Sequence, residues 1–84
     1  MEETIVALAT PAGRGGVAVI RISGLEARSI GGGLCGELPE SWSLKSCVIS
    51  DSEGETIDSG LVVFFACPKS YTGEDVVEVH CHGN

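Results

Sequence analysis

Basic residues are scarce in this chain. Five Lys and Arg stand against twelve Asp and Glu, giving a formal net charge of −7. Neutralising a phosphate backbone needs clustered Lys and Arg, so the chain is a poor nucleic-acid binder by itself. No apolar run approaches the roughly 20 residues of a membrane-spanning helix. The opening Met1-Glu2-Glu3 is acidic and leads straight into a strand-like segment, without the basic and then apolar order of a signal peptide. There is no Gly-Lys-Ser/Thr of a phosphate-binding P-loop and no Cys-x-x-Cys of a zinc site. The expectation is a cytoplasmic protein without a P-loop nucleotide site of its own.

What is present is a globular composition, 43% hydrophobic and 20% charged over 84 residues. That length holds one small domain. A domain of this size buries only roughly 60–65% of its unfolded surface, so it is marginal alone and gains from self-association or a continuing chain. Four cysteines, at 35, 47, 67 and 81, allow two disulfides in a secreted protein. Cys47, Cys67 and Cys81 lie in or beside apolar strand-like runs, where a reduced cysteine behaves as a small buried hydrophobe. In a cytosolic protein the reduced state is expected.

Hydrophobic periodicity predicts five strands and one short helix. Residues 5–10 form an apolar run ended by Pro11, and 11–16 is a Gly/Pro-dense loop. The β-branched segment 17–23 predicts a second strand, with Ala18, Ile20 and Ile22 on one face and Val17, Val19, Arg21 and Ser23 on the other. Ser23 and Glu26 have the spacing of a capping box, which predicts a helix over 24–30 that Gly31-Gly32-Gly33 should end. Residues 43–50 predict a third strand, and Asp51-Ser52-Glu53-Gly54 a turn that makes a hairpin with the next segment. The longest apolar run, 57–67, predicts a buried fourth strand, and 76–81 a fifth. The fold class is therefore α+β, with a mixed, largely antiparallel sheet of about five strands. Gly83-Asn84 follows the last strand and suits a turn or helix start, so covering helices are expected beyond residue 84.

Three constellations bear on chemistry. Gly13-Arg14-Gly15-Gly16-Val17-Ala18 fits the dinucleotide pattern Gly-x-Gly-x-x-Ala, but that pattern works by opening a helix, and here a strand follows. A tight turn with Arg14 at its tip is the better reading. In the closing strand Val77, Val79 and Cys81 share one face, and Val76, Glu78, His80 and His82 the other. His80 and His82 with a carboxylate or Cys67 are acceptable zinc ligands, yet same-face neighbours on a strand lie roughly 6–7 Å apart, a wide reach for one tetrahedral ion. Finally, Arg21 and Glu78 are each mid-strand charges among apolar neighbours. A half-buried charge needs a partner. Either the two pair with each other, or they face a polar ligand: a carboxylate can accept two hydrogen bonds from an amino-pyrimidinone edge, and a guanidinium can hold a carboxylate or carbonyl. Composition leaves both open.

Two strings carry a resemblance to a known family. They are Thr4-Ile5-Val6-Ala7 leading to Thr10-Pro11-Ala12-Gly13-Arg14-Gly15-Gly16-Val17 with Arg21-Ile22-Ser23-Gly24, and Tyr71-Thr72-Gly73-Glu74-Asp75-Val76-Val77-Glu78-Val79-His80-Cys81-His82-Gly83. In order and spacing they resemble the N-terminal domain of the tRNA modification GTPase family (MnmE/TrmE); residues 28–56 carry little signal. The resemblance implies a fold like the tetrahydrofolate-binding domain of the glycine-cleavage T-protein. It implies a folate cofactor, 5-formyl-tetrahydrofolate or a one-carbon relative, and homodimerisation through this domain. The family's folate-contacting arginine falls on Arg21 and its glutamate on Glu78, while a contacting lysine has no counterpart within residue 84. Asn84 stands where the family usually has a second glycine. The parent protein would be a hydrolase using GTP, Mg and K at sites outside this chain. With a flavin-dependent MnmG/GidA-type partner it would modify the wobble uridine, U34, of certain tRNAs.

Overall fold

The computed structural model describes residues 3–9, 16–67 and 73–82. Its elements are β1 (Ile5–Leu8), β2 (Val17–Ser23), α1 (Ala27–Cys35), β3 (Ser43–Ser50), β4 (Thr56–Phe65) and β5 (Val76–His82). The strands form one sheet in the order β1-β2-β5-β4-β3. Every neighbouring pair is antiparallel. The expected α+β class with five strands and one short helix is what forms. Strand β5 follows the other four in sequence but is central in the sheet, so both its edges are paired. Val76, Val77 and Val79 are accordingly buried. The loop at 10–15, with Arg14, lies outside the described residues.

Alternation sets the two faces. Ile22, Val77 and Phe64 stand in one cross-strand row, and Ile20, Val79 and Val62 in the next, all on the side that α1 covers. The helix contributes Ala27, Gly31 and Cys35 to that core. Each fully buried Val or Ile side chain contributes about 1.5–3 kcal/mol, so this side supplies most of the hydrophobic stabilisation. Arg28 on α1 adds its guanidinium over the Phe64 ring, 5.0 Å from the centroid.

The helix departs from expectation in both bounds. It begins at Ala27, too far from Ser23 for that residue to be its cap. Its cap residue is Glu26, whose side chain bonds no helix amide. Instead the Glu26 N–H donates to the Thr4 hydroxyl at 2.9 Å, so the segment leading into β1 satisfies one helix-entry amide. Nor do the three glycines end it: α1 runs through them to Cys35. At Gly31 the reason is space, since a Cβ there would lie 2.9 Å and 3.0 Å from the two Val77 methyl carbons. Close packing on β5 outweighs the propensity cost of about 1 kcal/mol for glycine in a helix.

The predicted hairpin joins β3 and β4. Asp51 builds its turn, its Oδ1 accepting from the Glu53 and Glu55 amides, each at 2.9 Å. Gly54 takes the positive φ, 84°, that the turn needs. β4 is not buried along its whole length as expected. Ile57 is exposed, and burial begins at Val62. β5 pairs only with Leu61–Phe65, so the first half of β4 has a single neighbour, β3. All four cysteines are free. Cys35 is buried, and Cys47 and Cys81 pack on the core, but Cys67 is exposed just after β4, contrary to its expected role as a buried hydrophobe. No helix among the described residues is long and apolar enough to cross a membrane.

Candidate functional site

Antiparallel pairing of β2 with β5 puts Arg21 directly opposite Glu78, on the sheet face away from α1. The two side chains form an ion pair through the Nε–Nη2 edge of the guanidinium. Arg21 Nε and Nη2 both donate to Glu78 Oε2, at 2.9 Å and 2.7 Å. The carboxylate side chain is only 10% exposed and the guanidinium 38%. The pair expected as one alternative from the sequence is thus present as geometry. A fork-to-fork arrangement would use both carboxylate oxygens. Here one oxygen takes both donors.

The second oxygen, Oε1, meets His80 Nε2 at 3.4 Å. That is longer than the usual N–H···O range of about 2.7–3.2 Å. The surroundings are apolar: Ala7 lies opposite Arg21, Val63 opposite Glu78, and Val19 and Leu61 flank His80. Beyond His80 the face opens into a shallow recess of about 260 Å³ that Val17, Leu61 and His82 help to line. A larger recess of about 460 Å³, lined by Ile20, Leu34, Ile49 and Val79, lies on the helix side of the sheet and does not reach the ion pair.

His82 does not join His80. Its ring turns to Asp58 of β4, with Nδ1 2.8 Å and 2.9 Å from the two carboxylate oxygens. Its backbone N–H donates to Asp58 Oδ2 at 3.0 Å. The Ser59 amide adds a third donor at 2.7 Å. These contacts hold the Asp58 carboxyl below its usual 3.8, with the His82 amide the largest cause, then the His82 ring, then the Ser59 amide. Asp58 was not singled out from the sequence, although a lone carboxylate in the run 57–67 was the available signal. The two histidines therefore serve separate carboxylates. Among the described residues no three His, Cys, Asp or Glu gather into a metal site. Cys67 instead has its amide held by Asp75 Oδ1 at 2.9 Å.

The Gly-x-Gly-x-x-Ala string lacks its functional context. Residues 13–15 lie outside the described region, and Val17–Ser23 is a strand, so no helix N-terminus follows to meet a pyrophosphate.

Comparison with known proteins bears on this arrangement. The family described as GTP-binding protein TrmE N-terminus matches residues 4–84. The chain belongs to that family. It is also similar to a stretch of longer proteins named tRNA modification GTPase MnmE. It is 51% identical over 80 residues to the tRNA modification GTPase MnmE of Neisseria gonorrhoeae (strain ATCC 700825 / FA 1090), covering 95% of this chain and 18% of that protein. The same figures hold for the MnmE of Alkalilimnicola ehrlichii. The MnmE of Shewanella sediminis is 48% identical over 81 residues, 96% of this chain and 18% of its own length. The chain thus spans less than a fifth of these relatives, and the family span of residues 4–84 contains positions 21 and 78.

Proposed function

We propose that this chain is the folate-binding and dimerisation part of a tRNA modification GTPase. The observation that carries the folate reading is the Glu78 carboxylate. It is nearly buried, one oxygen is saturated by Arg21, and the other has only a long contact to His80. A buried carboxylate gains from further donors, and an amino-pyrimidinone edge such as that of a pterin supplies N–H groups at the right chemistry. Arg21 fixes the orientation of Glu78 and offers its guanidinium to a carbonyl or carboxylate of the same ligand. The ligand class is 5-formyl-tetrahydrofolate or a one-carbon relative. The parent protein would bind GTP with Mg and K elsewhere. It would act with a flavin-dependent MnmG/GidA-type partner on the wobble uridine of tRNA.

Dimerisation has its own support. Ile5, Val17, Leu44, Val48 and Leu61 are exposed apolar residues, and cross-strand register gives all of them to the face that carries Arg21 and Glu78. An apolar face of this kind is stabilised by a second copy. Sedimentation at micromolar concentration should give a dimer or larger species, and a well-folded monomer would count against this part of the reading.

The direct ion pair also favours a second reading, a structural dimerisation module in which Arg21 and Glu78 serve only the fold. Calorimetric titration beside thermal melts separates the two. On the folate reading, Arg21→Ala and Glu78→Ala weaken 5-formyl-tetrahydrofolate binding at least about tenfold, or ~1.4 kcal/mol, with little change in the melt. On the structural reading the melt collapses, because removing one member strands a half-buried charge at about 3–5 kcal/mol. Unchanged folate affinity in a well-folded Glu78→Ala protein would sink the ligand assignment.

A further inference from the structure

We propose that His80 is a positioning residue that governs access to Glu78: its protonated form closes the carboxylate to a ligand and its neutral form opens it. The inference rests on the folate reading for the identity of the ligand. Its geometry stands independently. Glu78 Oε2 is taken by two Arg21 donors, at 2.9 Å and 2.7 Å. Oε1 is the oxygen left for a ligand, and His80 Nε2 is the group that meets it, at 3.4 Å. The His80 side chain is 30% exposed and borders the recess beside Val17 and Leu61, so the ring has room to approach or leave Oε1.

The chemistry sets the direction. A protonated imidazole donates from both nitrogens. Its hydrogen bond to a carboxylate is shorter and roughly twice as strong as a neutral one. Protonation therefore draws the ring onto Oε1, and an incoming N–H donor must displace it. A neutral ring holds Oε1 weakly and gives way. The charged and titratable groups facing His80 among the described residues are few. Glu78 lies on its own strand, Arg21 on β2 is reached through Glu78, and the Asp58–His82 pair stands at the end of β4 and β5. Val19 of β2 and Leu61 of β4 are the direct cross-strand neighbours and carry no charge, and α1 lies on the opposite face.

The test is calorimetric titration of 5-formyl-tetrahydrofolate at about pH 8 and 5.5, the interval in which imidazoles ordinarily change charge. It uses the wild type, His80→Gln and His82→Gln. The wild-type Kd should rise about fivefold or more on acidification. His80→Gln should lose that dependence and His82→Gln should keep it. The carboxyl ¹³C resonance of Glu78, followed by NMR without ligand, should move over the same interval in the wild type and stay fixed in His80→Gln. Equal pH dependence in His80→Gln, or a wild-type Glu78 resonance that does not move, overturns the proposal. A Glu78 resonance that follows His80 in a protein binding no folate at either pH supports the imidazole–carboxylate coupling and overturns the folate reading alone.

Discussion

Asp58 holds His82 twice, through the ring and through the backbone amide, where the β4–β5 ladder has ended at Leu61 and His80. The side chain thus stands in for a strand partner and keeps the last residue of β5 against the sheet. Its carboxyl is held low by these donors, so the folded state binds its proton less tightly than the unfolded chain does. The stability it contributes is present above the unfolded value near 3.8 and is lost as pH falls through the lower folded value. Asp58→Asn should flatten the acid limb of a plot of melting temperature against pH between about 2 and 5. An unaltered acid limb would show that the contact contributes nothing in solution.

Two of the helical glycines, Gly31 and Gly33, should respond oppositely to alanine. Gly33 has nothing within 4 Å of an added Cβ, so Gly33→Ala gains helix propensity alone. It should stabilise by about 0.5–1 kcal/mol. Gly31→Ala meets the buried Val77 methyl groups at 2.9 Å and 3.0 Å. Overpacking of that kind costs about 1–3 kcal/mol and outweighs the propensity gain. Denaturant titrations of the two variants should move the midpoint in opposite directions. A rise in both would mean that α1 sits further from β5 than described.

Thiol chemistry should separate the cysteines. Cys67 is exposed, whereas Cys35 is buried at the end of α1. Burial first, and a hydrogen bond with the Cys47 thiol second, push the Cys35 thiol up to about 12. Since the thiolate is the nucleophile, a maleimide or disulfide reagent near pH 8 should label Cys67 quickly and leave Cys35 unmodified until the protein unfolds. Peptide mapping after timed quenching reads the order directly, and early labelling of Cys35 would contradict its burial. The folded value lies above the ordinary 9.0, so this thiol's stabilising contribution is intact below pH 9 and declines as pH rises toward 12.

Much of the sheet was legible because period-two patterning is strong where one face of a strand is buried and the other is not. The bounds of β2 and β3 fall where the sequence put them, and the split of β5 into a Val77/Val79/Cys81 face and a Glu78/His80 face holds. The helix was misjudged because local glycine propensity is weak beside a tertiary contact, here Gly31 on Val77. The apolar run of β4 predicts burial throughout, because such a run does not reveal how far its neighbours extend. Arg21 and Glu78 were marked as charges needing partners. That they face each other follows from strand order, which no short-range pattern encodes. Asp58 escaped notice for the same reason, since its partner is 24 residues away.

The central place of β5 has a consequence for how the chain comes together. The β1–β2 and β3–β4 pairs are formed between strands near in sequence, so each can assemble early. Neither has its full set of neighbours until residues 76–82 enter between them. During synthesis the two halves wait with unsatisfied inner edges, the state in which β proteins are most open to mispairing. Insertion of β5 is then the event of long sequence separation that closes the sheet, and topology of this kind slows folding. The Arg21–Glu78 pair spans that same seam and forms only when β5 has docked on β2. The juxtaposition of Arg21 and Glu78 is therefore a product of the β2–β5 pairing and not of either local hairpin.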